Sequence, residues 1–246
     1  MKRLLILGGT GDARRLAIRT NELKRITTIY SLAGRTQRPN IPLCQIRTGG
    51  FGGTDGLVKY LQTDGIDFVI DATHPFASNM AKNAAEACVI LAIPRVKFCR
   101  PAWISDKIPW ISASNYKETA LKINKMGNRI FLSIGTNGLD AFSFLKEKWF
   151  LIRAAENPIQ PIPLVKHSMI LKRGPFDEAH ERKLLINFSI DVLVSKNSGG
   201  TPAAKLKAAY NLGIPIVMIE KPLPPAGKEV YNMQEALDWL IKSSYR

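Results

Sequence analysis

The chain has 246 residues, 46% of them hydrophobic, enough to bury a full core as one large domain or two small ones. Thirty-five Lys and Arg against twenty Asp and Glu give a formal charge of +15. The basic residues (Lys2, Arg14, Arg35, Lys59, Lys97, Arg129, Lys172, Lys205) are scattered and no zinc-finger or RNA-recognition motif occurs, which argues against a nucleic-acid binder. The start, "MKRLLILGG", has only four apolar residues before glycine, and no run approaches the roughly 18 of a membrane span, so a cytosolic protein without membrane contact is expected. Cys44, Cys88 and Cys99 have no CxxC spacing; neither a disulfide framework nor a metal site is expected.

Short β-branched runs alternate with amphipathic stretches, the pattern of βα units around a parallel sheet. Strands are predicted at 3–7, 27–31, 44–47, 68–70 and 95–98, with helices at 12–23, 54–63 and 77–91. After "CRPAWISDKIPW" the pattern restarts, with strands at 130–133, 149–153, 169–171, 191–194 and 214–219 and helices at 116–125, 176–187, 202–212 and 234–243. The reading is two α/β lobes, residues 1–104 and 105–246, without a sequence repeat between them.

Ligands of parallel sheets sit beyond the carboxyl ends of the strands. The segments that leave the predicted strands are "GGTGD", "SLAGRT", "RTGGFGG" and "DATHPF" in the first lobe, and "SIGTNG", "RAAENP", "KRGPF" and "SKNSGGTP" in the second. Nearly all are rich in glycine and hydrogen-bonding side chains, more than structural turns need. A large ligand in an interlobe cleft is expected.

Gly8, Gly9, Thr10 and Gly11 stand between a strand and a helix, where amides and the helix dipole can hold a pyrophosphate. The second strand ends without an acidic residue for a ribose hydroxyl; Ser31, Arg35 and Thr36 suit a 2'-phosphate, which favours NADPH over NADH. Around Gly50 and Phe51 the backbone can approach a ligand closely. Lys196, Asn197, Ser198 and Gly199 precede a helix and can clamp an acidic group, although Thr201 and Pro202 also read as a helix start. His167 and His180 lie outside strand-end loops.

Taken in order, "ILGGTGDARRLA", "SLAGRT", "GGFGG", "DATHPFA", "IPRVKFCRPAW", "LKRGPF" and "SKNSGG.PAAKLKAAYNLGIPIVMIEKP" resemble the precorrin-6A reductase family of cobalamin biosynthesis, with its cobalt-precorrin-6A branch. The resemblance implies two Rossmann-like lobes with parallel sheets and NADPH-dependent reduction of one double bond in a corrinoid precursor. It further implies hydride transfer to a ring carbon, C19, and a proton added at the neighbouring C18. The implied substrate is an anionic tetrapyrrole-derived ring, which gives the +15 charge a use in steering. By the same resemblance Thr73 and His74 orient the nicotinamide or meet a substrate carboxylate, while Ser133, Gly135 and Arg153 contact the ring. Candidates for the proton donor are His74, Lys196, water and a substrate carboxyl group. NADH in place of NADPH, a monomer or weak homo-oligomer, and a non-catalytic NADP-sensing regulator stay open.

Overall fold

The computed structural model describes residues 1–34, 41–158, 160–200 and 203–245. The chain divides into two compact units, Met1–Pro101 with Pro222–Arg246, and Ala102–Lys221. The first unit begins β1 (Lys2–Leu7), α1 (Gly11–Asn21), β2 (Ile26–Leu32), β3 (Gln45–Thr48) and α2 (Gly53–Thr63). It continues with β4 (Phe68–Asp71), α3 (Ser78–Ile90) and β5 (Arg95–Phe98). The second holds β6 (Ile111–Ala113), α4 (Tyr116–Asn124), β7 (Arg129–Leu132), β8 (Trp149–Ala154), β9 (Lys166–Leu171), α5 (Glu178–Asn187), β10 (Val192–Lys196), α6 (Ala204–Asn211) and β11 (Ile216–Ile219). The chain then returns to the first unit as β12 (Lys228–Val230) and α7 (Met233–Ser244).

Both sheets have six strands, all paired in parallel: β12-β5-β4-β1-β2-β3 and β6-β11-β10-β7-β8-β9. The two orders are the same when β12 is matched with β6. In the first unit, strand order reverses between β1 and β4; in the second, between β7 and β10. Such reversals open a crevice at the carboxyl ends of the strands.

Burial on both faces explains the continuous apolar runs. Leu4 and Ile6 of β1 pack with Leu16 of α1 and Leu240 of α7, whereas Leu5 and Leu7 pack with Leu57 and Leu61 of α2 and Ala84 of α3. In the second unit Phe131, Leu151, Leu193 and Met218 pack with Leu184 and Leu185 of α5 and Leu206 of α6.

The expected division at residue 104 assigned everything after it to one lobe; here residues 222 onward pack with the first unit. Val230 pairs with Phe98, and Trp239 meets Phe68 edge-on at 6.3 Å. An amphipathic helix carries no mark of which sheet it covers, and β6 and β12, three residues each, are too short to show an alternation. Among the described residues no helix is long and apolar enough to cross a membrane, and no cluster of His, Cys, Asp and Glu could hold a metal.

Candidate functional site

In the first unit the turn from β1 to α1 is shaped by two glycines with different tasks. A Cβ on Gly8 would lie 2.3 Å from the ring of Tyr30, so this position must be bare for β2 to pack. Gly9 has φ +104, and no atom lies within 4 Å of where its Cβ would stand. Its backbone faces open space in a conformation that suits glycine. The amide of Gly9 donates to Tyr30 Oη at 3.2 Å.

Thr10 caps α1, accepting from the Ala13 amide at 3.1 Å, while its hydroxyl donates to Ala72 O at 3.0 Å. It thereby ties the loop after β1 to the loop after β4. The first-turn amides of Gly11 and Asp12 have no intrahelical acceptor, the arrangement that receives a phosphate. Asp12 in that turn would repel an anion, but Arg15 and Arg100 both pair with it. Open backbone at Gly9, helix amides and a neutralised acid fit the pyrophosphate of a nicotinamide dinucleotide.

Ser31, next to last in β2, is almost fully buried. Arg35 and Thr36 lie outside the described residues. Arg47, from the end of β3, approaches Ser31 Oγ at 3.5 Å, donates to the carbonyls of Gly49 and Gly50, and lies 3.6 Å from the centre of the Phe51 ring. The "GGFGG" loop is therefore held by one guanidinium. One face of Phe51 is already covered by it.

Asp71, the last residue of β4, is wholly buried. Its Oδ1 accepts from the Thr73 amide at 3.1 Å and from the Thr73 hydroxyl at 2.6 Å, and lies 2.9 Å from Lys97 Nζ. Asp71 thus shapes the turn from beneath. Lys97 also reaches Thr73 Oγ1 at 3.1 Å, so the Thr73 side chain is held on two sides. His74 is partly exposed, with Nδ1 accepting from the Phe76 amide at 3.2 Å; in the neutral ring Nε2 then carries the proton.

In the second unit the loops after β7 and β10 meet at the reversal of strand order. Ser133 donates from Oγ to Val194 O at 2.9 Å and accepts from Lys205 Nζ at 2.9 Å. Lys196 donates to Ile134 O at 2.7 Å and lies 5.4 Å from the centre of the Tyr116 ring. Burial lowers the Lys196 amine to about 8 and that of Lys205 to about 7. Gly135, at φ +75, has no neighbour within 4 Å of a Cβ. Ser198 is partly exposed, whereas Gly199, at φ +69, is buried.

Two of the residues expected to contact a ligand are buried and engaged within the protein frame. Arg153 is 9% exposed, pairs with Glu181 at 2.6 Å and lies over the ring of Phe176. Asn197 is 1% exposed; it accepts from the Trp103 amide and donates to Trp103 O and Glu220 Oε2. The partners of both lie far off in sequence, which spacing does not reveal. Arg47, Lys97 and Lys205 join these loops without belonging to a motif of their own. Lys97 had one signal, a lysine within the apolar strand "RVKF"; Lys205 had only its place in the first turn of a helix after a glycine loop.

Residues 3–241 match the family described as Precorrin-6x reductase CbiJ/CobK. A precorrin-6A reductase of Rhodococcus erythropolis is 45% identical over 98% of both chains. A cobalt-precorrin-6A reductase of Priestia megaterium is 25% identical over 98% of this chain and 99% of that one. The solved structure of a CobK precorrin-6A reductase superposes with a TM-score of 0.88 and 36% identity, covering 99% of this chain and 97% of the other. With its fold and nearly its full length matched, the chain belongs to the precorrin-6x reductase CbiJ/CobK family.

Proposed function

We propose that this protein reduces one carbon–carbon double bond of precorrin-6A, using NADPH in the cytosol, and that the cobalt-free ring is its substrate. Family membership carries the reading, and the higher identity to the precorrin-6A reductase than to the cobalt-precorrin-6A reductase favours the metal-free ring.

In the first unit, Gly9, Gly11 and the first turn of α1 would hold the pyrophosphate. Ser31, Arg47 and the chain through Arg35 and Thr36 would receive the 2'-phosphate. Thr73 and His74 belong to the nicotinamide end, with Lys97 fixing Thr73. When bound, the reduced nicotinamide supplies a hydride to a ring carbon. In the second unit, Lys196, Lys205, Ser133, Gly135 and Ser198 would face the ring's carboxylates, while Arg153 and Asn197 keep those loops in place. The +15 charge draws such an anion in.

The test is a comparison of kcat/KM for NADPH and NADH, with metal-free and cobalt-loaded ring. The reading expects NADPH with the metal-free ring to be preferred by about tenfold or more, the worth of one charged hydrogen bond. Equal rates with both nucleotides would remove the 2'-phosphate assignment. A preference for the cobalt-loaded ring would reverse the substrate.

A further inference from the structure

We infer that the second unit carries a pocket for a small aromatic carboxylate, set between residues 102–110 and α6, and that the loop after β10 responds when the pocket is filled. The cavity is about 280 Å³, at the small end of ligand pockets, and every residue lining it belongs to this unit. Its walls are apolar and largely flat: Trp103 and Trp110 from the segment that leads into β6, Leu206 and Tyr210 one turn apart on α6. Trp103 and Leu206 are buried, whereas Tyr210 is 50% exposed. A helix of another chain, about 10 Å across, needs a longer groove than this. A planar molecule of two fused rings suits it.

Charge around the cavity selects an anion. Lys107 lines it from the segment and Lys207 from α6, and neither has an ion-pair partner among the described residues. Asp106 is the acid of the lining, and its Oδ1 accepts from the Lys107 amide at 2.8 Å. A carboxylate at the edge of the bound rings meets the remaining excess of positive charge.

Both tryptophans of the wall are bonded to the loop after β10. Trp103 donates from Nε1 to Gly200 O at 2.8 Å, and its backbone exchanges two hydrogen bonds with the side chain of Asn197. Trp110 donates from Nε1 to Glu220 Oε1 at 3.2 Å, and Glu220 Oε2 accepts from Asn197 Nδ2 at 2.9 Å. Asn197 is therefore joined to both walls' tryptophans, one directly and one through Glu220. A molecule seated between the segment and α6 presses on this network and so biases Asn197 and Gly200 together. The same loop carries Lys196 and Ser198, assigned above to the ring's carboxylates. The coupling thus rests on the reductase reading, whereas the pocket itself does not.

The experiment titrates the full chain with naphthoate, following tryptophan fluorescence and heat. One molecule per chain should bind with a Kd below about 1 mM. Lys207→Glu should weaken it by about fivefold or more, and Tyr210→Ala by about tenfold. Both side chains are exposed, so neither change reaches the core. Neutral naphthamide should bind at least about fivefold more weakly than naphthoate. With NADPH and precorrin-6A present, naphthoate should change the ring KM by about fivefold and then level off as the pocket fills. No binding at about 1 mM, or binding indifferent to both substitutions, would overturn the pocket. Equal binding of naphthamide would overturn its preference for an anion. A ring KM that climbs in proportion to naphthoate without levelling marks competition at the substrate's own site and would overturn the coupling, as would an unchanged KM. A protein that does not oxidise NADPH with precorrin-6A would overturn the reductase reading and the coupling with it, while the titration alone still decides the pocket.

Discussion

The ammonium of Lys97 lies 2.9 Å from Asp71 Oδ1, with both side chains almost wholly out of solvent. The two residues are register partners on neighbouring strands β4 and β5. This pair explains why a buried strand ends in a carboxylate: Asp71 fixes the turn that presents Thr73, and Lys97 balances its charge.

Lys97→Met therefore strands a buried carboxylate and should destabilise the protein by about 3–5 kcal/mol. Adding Asp71→Asn to that variant should recover part of the loss. Urea unfolding of the two variants checks this. Equal stability of the single and double variants would show that the pair is not coupled.

Gly8 and Gly9 should fail in different ways. Gly8→Ala puts a methyl group 2.3 Å from the Tyr30 ring and should lower the unfolding midpoint. In Gly9→Val the Cβ stands in open space and the side chain fills the room assigned to the pyrophosphate, while the positive φ adds strain of about 1–2 kcal/mol. The variant should fold and lose NADPH. Calorimetry of nucleotide binding separates the two, and normal NADPH affinity in Gly9→Val would place the cofactor elsewhere.

Arg35→Ala should weaken NADPH far more than NADH, by roughly 1.5–3 kcal/mol, if that guanidinium reads the 2'-phosphate. Arg47→Ala removes the support of the Gly49, Gly50 and Phe51 backbone and ring, so it should weaken both nucleotides. Fluorescence titrations with each cofactor decide. Loss confined to NADPH in Arg47→Ala would move the phosphate contact from Arg35 to Arg47.

Lys196 should act on ring binding. Its folded-state amine, at about 8, lies below the value of an unfolded lysine, near 10.4. As pH rises through about 8 the folded protein loses this positive charge, so the ring KM should rise. Over the interval from there to the unfolded value, the unfolded chain binds the extra proton and stability rises with pH. Lys196→Ala should raise KM with a smaller effect on kcat. A collapse of kcat at constant KM would put Lys196 in the chemical step.

The α/β class and the glycine turn at Gly9 were legible because hydrophobic period and local backbone chemistry are properties of short segments. The placement of α7 was not, since its partners Phe68 and β1 lie more than half the chain away. The burial of Asn197 and Arg153 was not legible either, because polar residues at the end of a strand usually face outward. Their buried partners, Trp103 and Glu181, come from other elements. The place of Lys205 was hidden for the same reason: only the meeting of α6 with the end of β7 sets it beside Ser133.

The most direct test of the central claim is to follow deuterium from NADPH labelled at nicotinamide C4, in both stereochemical forms, into the ring during turnover of precorrin-6A. The account predicts that one form delivers one deuteride per NADPH consumed to a ring carbon, in step with the change in the ring chromophore. Binding of NADPH without its oxidation, and without any label in the ring, would contradict it and leave a nucleotide-sensing protein.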